Sequence, residues 1–162
     1  MKYIILFLSV IVVFASCTEQ TVDVPESRQD MLIKAQWQLI GIEVTARDTF
    51  GIDTTYAWAL LDCKKDDKLE FKANFKGIHH TGDARCYYNE TDQYAFTWEL
   101  TNNGNNLGMY NLDDFFLGSG AVTGDISDFD GNKFTLKTTM DLGAPVPATD
   151  TLKLTKFYFI KS

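Results

Sequence analysis

Residues 94–100 read Tyr-Ala-Phe-Thr-Trp-Glu-Leu, the clearest alternation in the chain. Large apolar side chains occupy every second position, and Ala95, Thr97 and Glu99 stand between them. A period of two sends alternate side chains to opposite faces, so the stretch predicts a strand with one buried face. Residues 102–106 (NNGNN) predict a turn, because Asn and Gly tolerate a positive φ, and residues 107–112 predict the partner strand of a hairpin.

Similar strand signals flank this hairpin on both sides. Two segments, 27–35 and 56–62, predict short helices instead. About eight strands joined by short turns predict an all-β domain, as a sandwich or an antiparallel up-and-down barrel. The other predicted strands cover residues 37–47, 68–73, 75–82, 121–129, 133–140 and 152–160, and Asp130-Gly131 predicts a turn between two of them.

Length and charge limit the function classes. The chain has 162 residues, enough for one domain with its own core. It carries 15 Lys and Arg against 22 Asp and Glu, a net charge of −7. Binding to nucleic acid requires a basic surface, so we expect no nucleic-acid partner. The chain lacks a phosphate-binding glycine loop, a GxSxG motif and an HExxH motif, so we expect no enzyme and no cofactor.

The N-terminus has the layout of a secretory signal peptide. Lys2 precedes an apolar run at residues 3–14, which is too short for a membrane span, and small Ala15 and Ser16 follow. Residues 14–17 (FASC) resemble a bacterial lipobox, which implies that Cys17 carries lipid and begins the mature chain. A plain secreted protein with a spare thiol is the alternative. We therefore expect a signal peptide at residues 1–16, the lipid-anchored Cys17 and a polar tether at 17–30, and a folded domain at 31–162.

The number of cysteines agrees with secretion of the protein into an oxidising compartment. Once Cys17 is assigned to lipid, Cys63 and Cys86 remain as an even pair in an oxidising compartment. No CxxC motif and no Cys–His spacing suited to zinc is present. We predict a structural disulfide between Cys63 and Cys86, with two buried reduced thiols as the alternative.

Several segments resemble the lipocalin-like lipoprotein domains common in Bacteroidetes. Residues 63–73 (CKKDDKLEFKA) are similar to the family's C-x-x-D-D-x-L-x-F-x-A run, and Gly82 and Cys86 follow at matching places. Trp37 stands where lipocalins begin their first strand, although Ala35 replaces the usual glycine. Phe75 stands at the family's Asp-Gly turn, and because Phe resists a positive φ we expect a different turn there.

The resemblance implies an eight-stranded antiparallel barrel with one or two short helices. It also implies a lipoprotein of the cell envelope, anchored to the outer membrane and facing the periplasm or the cell surface. It does not imply an enzyme, and it leaves the orientation and any protein partner open.

Three clusters of chemically active side chains are better explained by structural roles than by metal binding or catalysis. His79 and His80 are adjacent in a predicted strand and therefore face apart, so we expect exposed or half-buried rings and no metal site. Asp66-Asp67 lies among lysines, which predicts a solvated, charge-balanced turn. Residues 125–132 do not fit a calcium loop, because the first and twelfth ligand positions would be Ile126 and Lys137.

The barrel interior is the predicted functional region. We expect it to hold one small apolar or amphipathic ligand, because Ala73, Gly124 and Thr138 would leave room among larger side chains. The alternative is a structural or protein-interaction lipoprotein whose barrel is filled. Lys156 either caps Trp37 from inside or, if a bulge changes the strand phase, lies in solvent. The predicted ligand-lining residues are Trp37, Phe71, Phe96, Trp98, Gly124, Phe134 and Leu154.

Overall fold

The computed structural model describes residues 26–112, 115–116, 119–140 and 146–162. The predicted signal peptide, Cys17 and the tether up to residue 25 lie outside the described residues. In the part of the chain that is described, no helix is both long and apolar enough to cross a membrane.

The described residues form one short helix and nine strands. Eight of the strands correspond to the predicted ones, and the helix predicted at residues 27–35 is confirmed. The helix predicted at 56–62 is wrong, because Thr54, Thr55 and Tyr56 favour extended backbone and pair with the preceding strand. The elements are α1 (Arg28–Ile33), β1 (Gln36–Arg47), β2 (Asp53–Trp58), β3 (Lys68–Phe71), β4 (Lys76–His80), β5 (Gln93–Thr101), β6 (Asn106–Tyr110), β7 (Ala121–Ser127), β8 (Lys133–Thr138) and β9 (Thr151–Lys161), with a 3-10 turn at Asp62–Lys64.

Eight strands close into an antiparallel up-and-down barrel, as predicted. From β3 to β9 each strand pairs with the next one in sequence, and β9 returns to pair with β1 along most of its length. The first half of β1 pairs with β3, at Gln36–Gln38. Its second half, from Ile42 to Arg47, pairs with β2 on the same side. Strand β2 is therefore an addition to the barrel wall, and its other edge faces no strand among the described residues.

The two ends of the barrel differ, and we name them by what closes them. The helix end carries α1 and the β3–β4, β5–β6 and β7–β8 turns, and Arg28 Nη1 of α1 donates to the Gly104 carbonyl at 3.0 Å. Ser27 begins α1, because its hydroxyl accepts from the Asp30 N–H at 3.1 Å. The loop end carries the β1–β2, β4–β5, β6–β7 and β8–β9 connections.

Two bulges determine which side chains face inward. The β1–β9 register skips Ile40 on β1 and Lys153 on β9. An extra residue reverses the alternation beyond it, so Leu152 faces the interior whereas Leu154, opposite Thr45, faces outward. The prediction that Leu154 lines the interior is therefore wrong.

The β3–β4 turn places Phe75 at a positive φ, so the prediction of a different turn there is wrong. Phe75 has a φ of 59°, in the left-handed region, which costs a non-glycine residue about 1–2 kcal/mol. The Phe75 ring lies 5.3 Å from the Trp98 ring, and the Phe75 carbonyl accepts from the Trp98 N–H at 2.9 Å. Contacts with β5 therefore hold the residue in this conformation.

Candidate functional site

Five of the predicted ligand-lining residues meet inside the helix end, but they pack against one another. Each is at most 2% exposed. The Phe71 ring lies 5.5 Å from that of Phe96 and 5.2 Å from that of Trp98, both edge to face. Trp37 meets Phe134 edge to face at 4.9 Å. These side chains form the barrel core, which is the filled arrangement that an eight-stranded barrel permits.

The glycines in this core leave no room for a ligand, because neighbouring atoms occupy the space beside each of them. A Cβ on Gly77 would lie 2.1 Å from the Phe96 ring, so Gly77 admits that ring. A Cβ on Gly124 would lie 2.3 Å from the Lys137 carbonyl oxygen, so Gly124 lets β7 approach β8 closely. The prediction that Gly124 leaves room for a ligand is therefore wrong. The same prediction for Ala73 is wrong because Ala73 lies exposed in the β3–β4 turn.

Trp37 closes the helix end without Lys156. Its indole N–H donates to the Leu32 carbonyl of α1 at 2.9 Å. The bulge at Lys153 places Lys156 on the outer face, where its ammonium lies 3.6 Å from the Glu43 carboxylate. Burial and the hydrogen bond to that carboxylate raise the pKa of the neighbouring Tyr158 to about 12. Of the two alternatives for Lys156, the structure shows the outward one.

The loop end is plugged from inside by two aromatic residues of the β6–β7 connection. Phe115 and Phe116 are buried, and their rings pack at 5.1 Å on His79 and at 4.9 Å on Phe157. The space left between Phe116, Trp58 and Lys64 is about 10 Å³. A volume of that size holds about one water molecule.

A network of polar and charged side chains occupies the interior behind this plug. Lys64 Nζ lies 2.7 Å from a Glu90 carboxylate oxygen and 3.2 Å from Asp67 Oδ2. His79 Nε2–H donates to the same Asp67 oxygen at 2.8 Å. All four side chains are at most 6% exposed. The interpretation of Asp66-Asp67 as a solvated turn is wrong for Asp67, and that of His79 as exposed or half-buried is wrong because its ring is buried.

Mutual contacts keep Lys64, Asp67 and Glu90 charged despite their burial. Burial by itself lowers the pKa of Lys64, but the hydrogen bond to Glu90 and the charge of Asp67 outweigh it, so this pKa is raised. Burial raises the pKa of Asp67, but hydrogen bonds from His79 and the Gly82 N–H outweigh it, so this pKa is lowered. The pKa of Glu90 is also lowered, since Lys64 and the Cys86 N–H outweigh its burial.

The predicted disulfide Cys63–Cys86 is present and joins the two segments that supply the network. Its Cα atoms are 5.2 Å apart. Lys64 follows Cys63 in sequence, and the Cys86 N–H donates to the second Glu90 oxygen at 2.8 Å. Asp66 Oδ2 accepts the backbone N–H groups of Asp83 and Ala84, and a Cβ on Gly82 would meet Asp66. The C-x-x-D-D segment therefore fastens the β4–β5 loop.

The remaining titratable clusters are structural as well. His80 faces away from His79 and hydrogen-bonds Glu70 at 2.9 Å on the outer face. Asp130 Oδ1 accepts the N–H groups of Asn132 and Lys133, which shapes the β7–β8 turn. Within the described ranges, no three His, Cys, Asp or Glu side chains are grouped to hold a metal ion.

One accessible feature of the described surface is a gap in the barrel wall. Between the end of β2 and the start of β3, β1 residues 39–41 face no strand on that side. A surface groove of about 450 Å³ lies there. The sequence missed it because residues 56–62 were predicted as helix. We call this groove the wall gap, and it is lined by Leu39, Ile40, Gly41, Ile42, Ala57, Trp58, Ala59, Leu60 and Lys65.

Three comparisons with known proteins find no relative for this chain. No protein-family model, no curated protein and no solved structure matches it. The functional argument therefore rests on the chain's own geometry.

Proposed function

We propose that this chain is a lipid-anchored protein of the cell envelope, of the lipocalin-like lipoprotein type, that acts through its outer surface. The packed interior carries the proposal. Beside the plug, the pocket between Phe116, Trp58 and Lys64 measures about 10 Å³, and apolar ligands bind by burying their surface in a much larger cavity. The barrel then serves as a rigid support.

A non-catalytic role is part of the proposal. The buried groups capable of acid–base chemistry, Lys64, Asp67, His79 and Glu90, are engaged with one another or with backbone N–H groups. Each performs a structural task in holding the β4–β5 loop. The disulfide beside them suits an oxidising compartment outside the cytoplasm.

The anchor is tested by cell fractionation. We expect wild-type protein in the membrane fraction, because the several acyl chains of a lipoprotein give stable attachment. Cys17→Ala, which removes the acceptor thiol, should move the protein to the soluble fraction. Cys17→Ala protein that still sediments with membranes would overturn the anchor.

A second candidate function keeps the predicted small ligand but moves it to the wall gap. The side chains that line the groove are apolar except for Lys65, so an amphipathic molecule fits its chemistry, with an anionic head group replacing Asp62 as the partner of Lys65. Trp58 lines the groove, whereas Trp98 is buried in the core. The two tryptophans therefore report on the two places where a ligand would bind.

A fluorescence titration with a long-chain fatty acid separates these functions. An unchanged tryptophan emission is expected for a protein that acts without a ligand. A change that disappears in Trp58→Phe would assign binding to the wall gap. A change that disappears in Trp98→Phe and persists in Trp58→Phe would show binding inside the barrel and overturn the filled-barrel proposal.

A further inference from the structure

The outer edge of β2 carries unpaired backbone groups in the described part of the chain. The Asp48 N–H donates to the Ile52 carbonyl at 3.0 Å, which closes the β1–β2 hairpin. Hydrogen-bonded and non-hydrogen-bonded pairs alternate from there, so the N–H and C=O groups of Asp53, Thr55 and Ala57 point away from β1. The hydroxyls of Thr45 and Thr55 meet at 2.9 Å, as expected for a non-hydrogen-bonded pair.

This edge lacks the features with which natural proteins prevent edge pairing. Strand β2 contains no Lys and no Pro, and its one charged residue, Asp53, forms an ion pair with Arg47 at 2.6 Å. Apolar side chains lie at both ends of the edge. Phe50 and Ile52, at the hairpin tip, are 88% and 61% exposed. Trp58, at the other end, is half-buried.

We propose that β2 pairs antiparallel with β2 of a second copy of this chain, about a two-fold axis at Thr55. The outward-pointing residues then meet in register. Thr55 lies opposite Thr55 of the second copy, and Asp53 lies opposite Ala57, so each exchanges both backbone hydrogen bonds and no like charges face each other. Ile52 lies opposite Trp58 of the second copy. The apolar hairpin tip of each copy therefore covers the apolar residue at the other end of its partner's β2.

Two features favour a second copy over a lipid surface as the occupant. The tip with Phe50 lies at the loop end, whereas the described chain enters the barrel through α1 at the opposite, helix end. A two-fold pairing buries both apolar ends of the edge at once and does not depend on the anchor.

A cysteine on the axis tests the pairing in the full chain, expressed in intact cells. Across a hydrogen-bonded antiparallel pair the Cα atoms lie about 5.5 Å apart, within disulfide range. Thr55→Cys should therefore form a dimer on a non-reducing gel, and mass spectrometry should find two copies of the same peptide joined through the introduced thiols. Thr45→Cys is the matched control, since it lies one strand further from the axis and should stay monomeric.

Two further variants make the result decisive. Adding Ile52→Asp to Thr55→Cys should lower the cross-linked fraction about tenfold, because a charge replaces a buried apolar contact. Thr55→Pro removes an N–H that points away from β1, so it should convert dimers to monomers in sedimentation of the detergent-extracted protein while the barrel stays folded. Equal cross-linking of Thr55→Cys and Thr45→Cys, an adduct with a different protein, or monomeric wild-type protein would overturn the proposal.

Discussion

The helix end and the loop end of the barrel are both filled, but by different kinds of side chain. At the helix end, Phe71 packs edge to face on Phe96 and Trp98, and Trp37 packs edge to face on Phe134, so dispersion and apolar burial stabilise this core. At the loop end, Lys64, Asp67 and Glu90 are buried as charged partners behind two phenylalanines, and His79 is buried with a hydrogen bond to Asp67. An aromatic core loses stability in proportion to what is removed, whereas an ionic network fails when one partner leaves its neighbours unpaired.

The largest expected effect comes from removing the cation of the network. Lys64→Met leaves two buried carboxylates without their shared positive charge, so we expect the free energy of unfolding to fall by about 3–5 kcal/mol. Denaturant unfolding measures it. Lys65→Met is the matched control, because Lys65 pairs with Asp62 in solvent and should unfold like the wild type. Equal stability of the two variants would contradict a structural role for the network.

Acid should remove a large part of the same stabilisation. The pKa values of Asp67 and Glu90 are lowered in the folded state, so their contribution is complete above their ordinary values near 4 and is lost as the pH falls through the lowered ones. We expect unfolding free energies measured from pH 7 to pH 2 to fall less steeply in Asp67→Asn than in the wild type. Asp62→Asn, at an exposed pair, should retain the wild-type slope, and a matching slope in Asp67→Asn would place the acid sensitivity elsewhere.

Substitutions at two strand glycines test how tightly the barrel is packed. Gly124→Ala places a Cβ against the Lys137 carbonyl oxygen, so we expect a loss of about 1–3 kcal/mol in the free energy of unfolding. Gly41→Ala is the control, because its Cβ would meet only the Tyr158 ring at 3.6 Å, an ordinary contact. If both substitutions leave thermal and denaturant unfolding unchanged, the interior has more room than its packing indicates.

The smallest expected effect concerns the strained turn at the helix end. Phe75→Ala and Phe75→Gly both lose the contact with Trp98, but only Gly also relieves the positive φ. Phe75→Gly should therefore be more stable than Phe75→Ala by about 1 kcal/mol. Denaturant unfolding of the two variants isolates the backbone term, and equal stabilities would show that the turn relaxes to a negative φ.

Local patterns in the sequence were sufficient to predict eight strands, one helix and the disulfide. Residues 94–100 alternate so regularly that one face had to be buried, and burial of alternate positions repeated along the chain requires a sheet. The sequence also identified the aromatic residues that meet inside. It could not show whether they line a cavity or fill it, because that depends on how closely neighbouring strands approach at positions such as Gly77 and Gly124.

Only the tertiary structure decided the charged interior and the wall gap. Asp67 and His79 read as surface residues because an isolated charge is costly to bury, and their partners Lys64 and Glu90 arrive from separate segments joined by the disulfide. The last three residues of β2 were included in the helix predicted at 56–62, because their pairing with β1 is not visible in that segment itself. The orientation of Leu154 depended on one bulge at Lys153, which reverses the alternation and has no local sequence signal. Periodicity is a property of neighbouring residues, whereas partners, registers and bulges arise between segments that meet only when the chain has folded.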